Sequence, residues 1–223
     1  MKRDTIADYL ALQRDPVYAN YFRQSGTLPL VLEEKTLRDW SRKHDQPLGL
    51  VFDNSPFYLV LRDLVAPPGK PPFAYARVIH TGGKAGAVIL PVYRGRAALL
   101  RHYRHASRDS VWELPRGFMS PGEPLSGTAA RELWEELGAD PEKTAFTLLG
   151  QVQGDSGIIA ARAEVYLAEL SMAPTERPAD PTEGIQRVRW ADRAALRDMC
   201  AAGEIVDGFT LSALTLWTAA EAR

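Results

Sequence analysis

Three carboxylates, Glu132, Glu135 and Glu136, stand at i, i+3 and i+4 within the stretch Gly117–Ala139, which reads GFMSPGEPLSGTAARELWEELGA. At about 100° per residue they share one arc of a helix, with Arg131 at its edge. Like charges at these spacings weaken an isolated helix by about a few tenths of a kcal/mol per pair, so the arc calls for a cation. A hard divalent ion, Mg²⁺ or alternatively Mn²⁺, takes carboxylate and carbonyl oxygens, water and substrate phosphate. Glu132 and Glu136, one turn apart, are the best ligands, with Glu135 a third ligand or a general base. Carboxylates this close titrate as a coupled set. A glutamate-rich arc is ordinarily a solvated face, but here Gly117 and Glu123 stand at fixed distances before it. Glu123 precedes the helix and suits pairing with Arg131, fixing loop to helix.

The elements that must position these groups follow from pattern. Ser126 or Thr128 can open the helix after Pro124, and Gly138 can close it in the left-handed conformation. Ala130, Leu133, Trp134 and Leu137 form the arc expected to be buried. Earlier in the chain, apolar spacing predicts one or two short helices over residues 4–22, interrupted at Pro16, and another over Glu33–His44. Strands follow at 48–52 and 57–65, then in quick succession AYARVIH, AGAVILPVY, AALLRHY and VWELPRGF before the helix. FTLLGQV, EVYLAEL and IQRVRWA come after it, with helices over 193–202, capped by Asp192, and over about 209–222. Strands on both sides of one central helix, with helices at the end, predict an α/β/α arrangement with a mixed sheet and an N-terminal helix-and-strand extension. The breaker run Ala66–Pro72 marks the expected boundary between that extension, residues 1–72, and a domain over 73–223.

The 223 residues are 45% apolar and 25% charged, ordinary values for a globular chain able to bury a good core. A net charge of −1 provides no broad basic field, so nucleic acid is not expected as a partner. No run approaches a membrane span, no signal-peptide core is present, and the single Cys200, a small core residue on a helix, excludes an intrachain disulfide. A cytoplasmic protein is expected.

A glycine, five residues, Glu123, seven residues, then Arg131, Glu132, Leu133, one residue, Glu135, Glu136, one residue and Gly138 fill every charged and glycine position of the Nudix box. The chain thus resembles the Nudix hydrolases. The resemblance implies an α/β/α Nudix sandwich and hydrolysis of the pyrophosphate bond of a nucleoside diphosphate joined to another group. It also implies metal coordination by the backbone carbonyl of Arg116, and a catalytic set of Glu123, Arg131, Glu135 and Glu136. A wider similarity over residues 76–220 points to the branch acting on ADP-ribose and nucleotide sugars. It rests on LLRHYRHA, WELPRG, Glu183-Gly184-Ile185 and GEIVDGFTLSALTLW. In that branch the residues matching Arg104 and Glu113 lie near substrate, and N-terminal strands pair across a homodimer. Arg101, His102, Arg104, His105 and Arg108 together bring positive charge close to the acidic box. The chain departs from the branch where Ala161 replaces a loop glutamate that acts as base and where Ser156 lies near an expected proline. The base is therefore open among Glu135, Asp155 and Glu164. Two alternatives accompany the nucleoside diphosphate reading: a hydrolase of nucleoside triphosphates or other small nucleotides, and a non-catalytic nucleotide sensor. A pure binder has no need to tolerate the repulsion among these carboxylates.

Overall fold

The structure, a computed structural model, describes residues 3–24, 26–174 and 184–222. Glu183 lies outside them. The chain divides into two units, one of Met1–Lys84 with Asp155–Ala161 and one of Ala85–Gly154 with Arg162–Arg223.

In the first unit, helix α1 (Thr5–Arg14) is capped by Asp4, whose carboxylate accepts from the Ala7 amide at 3.1 Å. Pro16 ends the regular helix as expected and a 3₁₀ segment, Pro16–Phe22, follows. Helix α2 (Glu34–His44) leads to three antiparallel strands in the order β1 (Gly49–Asn54), β2 (Tyr58–Val65) and β3 (Phe73–His80). Their inner face packs Leu50, Leu61 and Ile79 with Tyr9, Phe22 and Leu37 from the helical segments. The buried Asp63 is satisfied by the Tyr9 hydroxyl and by Arg77, each donating at 2.5 Å.

The Ala66–Pro72 run lies inside this unit. It connects β2 to β3, which pair without interruption from Tyr58–His80 to Val65–Phe73, and the division falls after Lys84 instead. Breaker residues suit a hairpin connection as well as a linker; the pairing on either side decides between them.

The second unit holds β4 (Gly86–Tyr93), β5 (Arg96–Arg104), β6 (Asp109–Glu113), β7 (Arg116–Phe118), α3 (Leu125–Leu137), β8 (Thr144–Val152), β9 (Ala163–Leu170), β10 (Ile185–Ala191), α4 (Arg193–Ala201) and α5 (Gly208–Glu221). The strand order is β10-β5-β4-β9-β8, with β6 on β5 and β7 on β4. The β4–β9 pair is parallel and the others are antiparallel, so the sheet is mixed. Alternation along β5 sends Ala98 and Leu100 into a core with Ala129, Leu133 and Leu137 of α3. Ala97 and Leu99 enter a second core with Leu196 and Met199 of α4 and Ala213 and Trp217 of α5. These are the α/β/α layers. Among the described residues no helix is long and apolar enough to cross a membrane.

VWELPRGF, one strand by its pattern, is two. Pro115 has no N–H to donate to a ladder, and β6 and β7 separate around Leu114-Pro115 to join different neighbours. The Leu114 amide finds its acceptor in the Thr210 hydroxyl of α5 at 3.0 Å, which in turn donates to Asp207 at 2.7 Å. Thr210→Val should strand the buried Leu114 N–H and lower unfolding free energy by about 1–3 kcal/mol, read from the midpoint of urea denaturation.

Candidate active site

Helix α3 begins at Leu125, with Pro124 in extended conformation at the cap position and no side-chain cap, rather than at Ser126 or Thr128. Thr128 is buried and its hydroxyl donates to Glu123 at 3.0 Å. Gly138 ends the helix at φ 71°, as expected. The buried stripe runs through Thr128, Ala129, Leu133 and Leu137. The expected arc is displaced: Ala130 is half-buried and Trp134 is 42% exposed. Small Ala129, one turn before Leu133, faces the sheet, which turns Trp134 toward the rim.

Glu123 and Arg131 do meet. The Glu123 carboxylate accepts from Arg131 Nε and Nη2, each at 3.1 Å, and from the Ser120 amide at 2.9 Å. Arg131 above all, then the Ser120 amide, pulls its pKa down to about 2. The same guanidinium donates from Nη1 to Glu132 at 2.7 Å and to Glu135 at 2.9 Å, and from Nη2 to the Phe118 carbonyl at 2.9 Å. Loop, strand β7 and helix α3 are thereby tied at one cation.

Each residue of β7 meets a different position of α3. The Arg116 amide donates to Glu136 Oε2 at 3.1 Å, and the Phe118 carbonyl accepts from Arg131. Gly117, between them, leaves the space that the Glu132 carboxylate fills; a Cβ there would overlap it. This glycine is required for room, not for an unusual φ. Half-buried Glu136 is pushed up to about 8, first by burial and then by the charge of Glu132, against the Arg116 amide.

A second cluster centres on Glu113, 1% exposed. Its carboxylate accepts from Arg104 through both Nε, at 3.0 Å, and Nη2, and from Arg116 Nη2 at 3.2 Å. His102 Nδ1 lies 2.8 Å away, outside hydrogen-bond alignment. Burial alone would raise the Glu113 pKa, but His102, Arg104 and Arg116 hold it below the usual carboxylate range. Arg116 Nη1 pairs with Asp207 at 3.1 Å, and its guanidinium lies 4.9 Å from the centre of the Phe209 ring. Arg104 and Glu113, expected beside substrate, are thus bonded to each other, with Arg104 partly exposed and Glu113 beneath it. Strand parity separates His102 and Arg104 from Arg101, which stacks on Trp112 on the opposite face. The links that sequence reasoning missed are the Arg116 side chain, Asp207 and Thr210. Asp207 lies in the GEIVDGF segment, where its N-cap position before a helix was the available signal.

Of the open candidates for base, Asp155 belongs to the first unit and accepts from the Gly157 amide at 2.9 Å, closing a turn. Ala161 is in the same segment. Glu164 pairs in register with Ala87, which pairs with Gly117, so it shares the α3 face of the sheet. Half-buried there, it accepts from the Tyr166 hydroxyl, and from Gln151 at 3.4 Å.

Among the described residues no three His, Cys, Asp or Glu side chains converge into a ready-made metal cage. Glu132 and Glu135 turn to Arg131, and Glu136 to the Arg116 amide. The donors available are all oxygens, and the raised Glu136 marks a carboxylate whose ionised form lacks compensating charge; both features fit a hard divalent ion.

Residues 83–207 match the family model described as NUDIX domain. The chain is 29% identical over 184 residues to the ADP-ribose pyrophosphatase of Bacillus subtilis strain 168, covering 82% of this chain and 91% of that protein. A solved structure described as an ADP compounds hydrolase superposes with a TM-score of 0.65 at 20% identity, over 77% of this chain and 90% of its own, which shows a common fold.

Gly117→Ala should displace Glu132 and abolish divalent-ion binding measured by calorimetry, while the apolar stripe of α3 keeps the helix folded by circular dichroism. Glu136 gives a pH dependence. Its carboxyl titrates near 4.5 when unfolded and near 8 when folded, so its ionisation opposes folding. This contribution to stability is complete below about 4.5 and is lost as pH rises through about 8. In metal-free protein Glu136→Gln should therefore leave Tm unchanged at the acid end of that window and raise it by several degrees at the alkaline end.

Proposed function

The chain belongs to the Nudix family, and from that premise we propose a metal-dependent pyrophosphohydrolase whose substrate is ADP-ribose or a closely related nucleoside diphosphate derivative such as a nucleotide sugar. The observation that carries this reading is the fit of β7 to α3, in which Arg116, Gly117 and Phe118 meet Glu136, Glu132 and Arg131 in turn. A nucleoside diphosphate derivative is an anion that water attacks only when its charge is compensated and the nucleophile is positioned.

Glu132, Glu136 and the Arg116 carbonyl would hold the ion, Mg²⁺ in the first instance, with Glu135 at the solvent side as further ligand or base. When bound, the ion neutralises phosphate charge and acidifies water. Arg131 and Glu123 keep the loop and helix in place around these groups and do not need to touch the reacting atoms. Arg104 offers its exposed edge to the diphosphate, a geometry that suits a guanidinium. Glu113 holds Arg104 and Arg116 from below, and Asp207 holds Arg116 from the side. Water adds to one phosphorus and the bridging oxygen leaves with the other phosphate, so ADP-ribose would give AMP and ribose 5-phosphate. The outer edge of β1 has no strand partner among the described residues, which supports a homodimer formed through the first unit.

The test is hydrolysis of ADP-ribose, nucleotide sugars, dinucleotides and nucleoside triphosphates with Mg²⁺ or Mn²⁺. ADP-ribose or a nucleotide sugar should be cut fastest, and Glu136→Gln should lower kcat by roughly a hundredfold or more without loss of fold. Preferential cleavage of triphosphates would select the small-nucleotide alternative. A nucleotide that raises Tm without being cut by the wild type would make the protein a binder. Arg104→Ala should act mainly on KM if its contact is present in the ground state as well as the transition state.

A further inference from the structure

On the sheet face opposite α3, β10, β5 and β6 set Arg187, Arg101 and Trp112 side by side in one row, Arg187 opposite Arg101 and Arg101 opposite Trp112. Trp112 is buried and forms a floor. The Arg101 guanidinium lies 5.6 Å from its ring centre and that of Arg187 5.8 Å. Directly opposed like charges destabilise a pair of strands. Neither arginine has a carboxylate partner among the described residues, whereas the neighbouring Arg189 pairs with Glu204 at 3.3 Å. The row opens into a cleft of about 490 Å³ that Ser110, Glu204 and Val206 also line. That volume suits one small molecule.

We propose that this cleft is a second, non-catalytic binding site for a phosphorylated pentose. Arg101 and Arg187 hold the phosphate, the aromatic floor keeping both guanidiniums in place. Ser110, on the same strand face as Trp112, and Glu204 also line the cleft and take the sugar hydroxyls, which a carboxylate accepts and a bare phosphate lacks. Phosphorylated pentoses are the class of product released by the reaction proposed above; only that connection rests on the hydrolase reading, and the binding itself does not.

Calorimetric titration of the full chain, without metal or substrate and at low salt, tests the site with ribose 5-phosphate, inorganic phosphate and unphosphorylated ribose as probes. Ribose 5-phosphate should bind more tightly than phosphate and ribose should not bind. Arg187→Gln and Arg101→Gln should each weaken ribose 5-phosphate by about tenfold or more. Both variants should keep or raise the Tm of the free protein, because a like-charge contact is removed. Arg187 is exposed, so its variant keeps the test sound if Arg101→Gln folds poorly. Unchanged affinity in Arg187→Gln would overturn the site, and inorganic phosphate binding as tightly as the sugar phosphate would overturn the sugar assignment. Because no turnover is measured, failure here is distinct from failure to hydrolyse ADP-ribose.

Discussion

A single guanidinium holds the acidic site together. Arg131 reaches Glu123 in the loop, Glu132 and Glu135 on its own helix, and the carbonyl of Phe118 on strand β7. Without it, carboxylates at i, i+3 and i+4 would repel one another, and the loop would lose its direct tie to both strand and helix. The arrangement compensates Glu132 and Glu135 but leaves Glu136 half-buried with its pKa raised, which is the charge imbalance a divalent ion corrects. Structural cohesion and the requirement for a cation therefore come from the same three turns of helix.

The rest of the second unit can be understood as support for that contact. Pro115 interrupts what would be one strand, so that β6 delivers Glu113 beneath Arg104 while β7 presents its backbone to α3. The interruption leaves the Leu114 amide to be satisfied by Thr210, and Thr210 and Arg116 both reach Asp207 at the start of α5. A backbone break required by the site is thus repaired from the opposite side of the sheet. The strict alternation of β5 keeps two arginine groups apart, Arg104 toward α3 and Arg101 toward Trp112.

What was legible in sequence was local. Glu123, Arg131, the three glutamates and the terminal Gly138 carry their geometry in their spacing, because an α-helix converts intervals into angles. The strands were legible from alternation, and the mixed sheet with helices on both faces followed. Partners distant in the chain were not. Ala66–Pro72 has a linker's composition but turns a hairpin, since only the β2–β3 pairing distinguishes the two. Asp155–Ala161 belongs with the first unit although the chain around it belongs with the second. Glu113 stood out only through the family resemblance, whereas its burial under Arg104, Arg116 and His102 depends on three separate strand positions. Trp134 lies outside the buried arc that its apolar side chain suggests, because hydrophobicity identifies an apolar side chain without saying which flank of a stripe meets the sheet.

Glu132 and Glu136, positioned by β7, are the proposed ligands of a divalent ion. Titration with Mn²⁺ followed by electron paramagnetic resonance, comparing wild type with Glu132→Gln, reads that binding directly. Saturable Mn²⁺ binding that Glu132→Gln largely removes and that Mg²⁺ displaces is the expected result. Equal Mn²⁺ binding by the two proteins, or none by either, would contradict it.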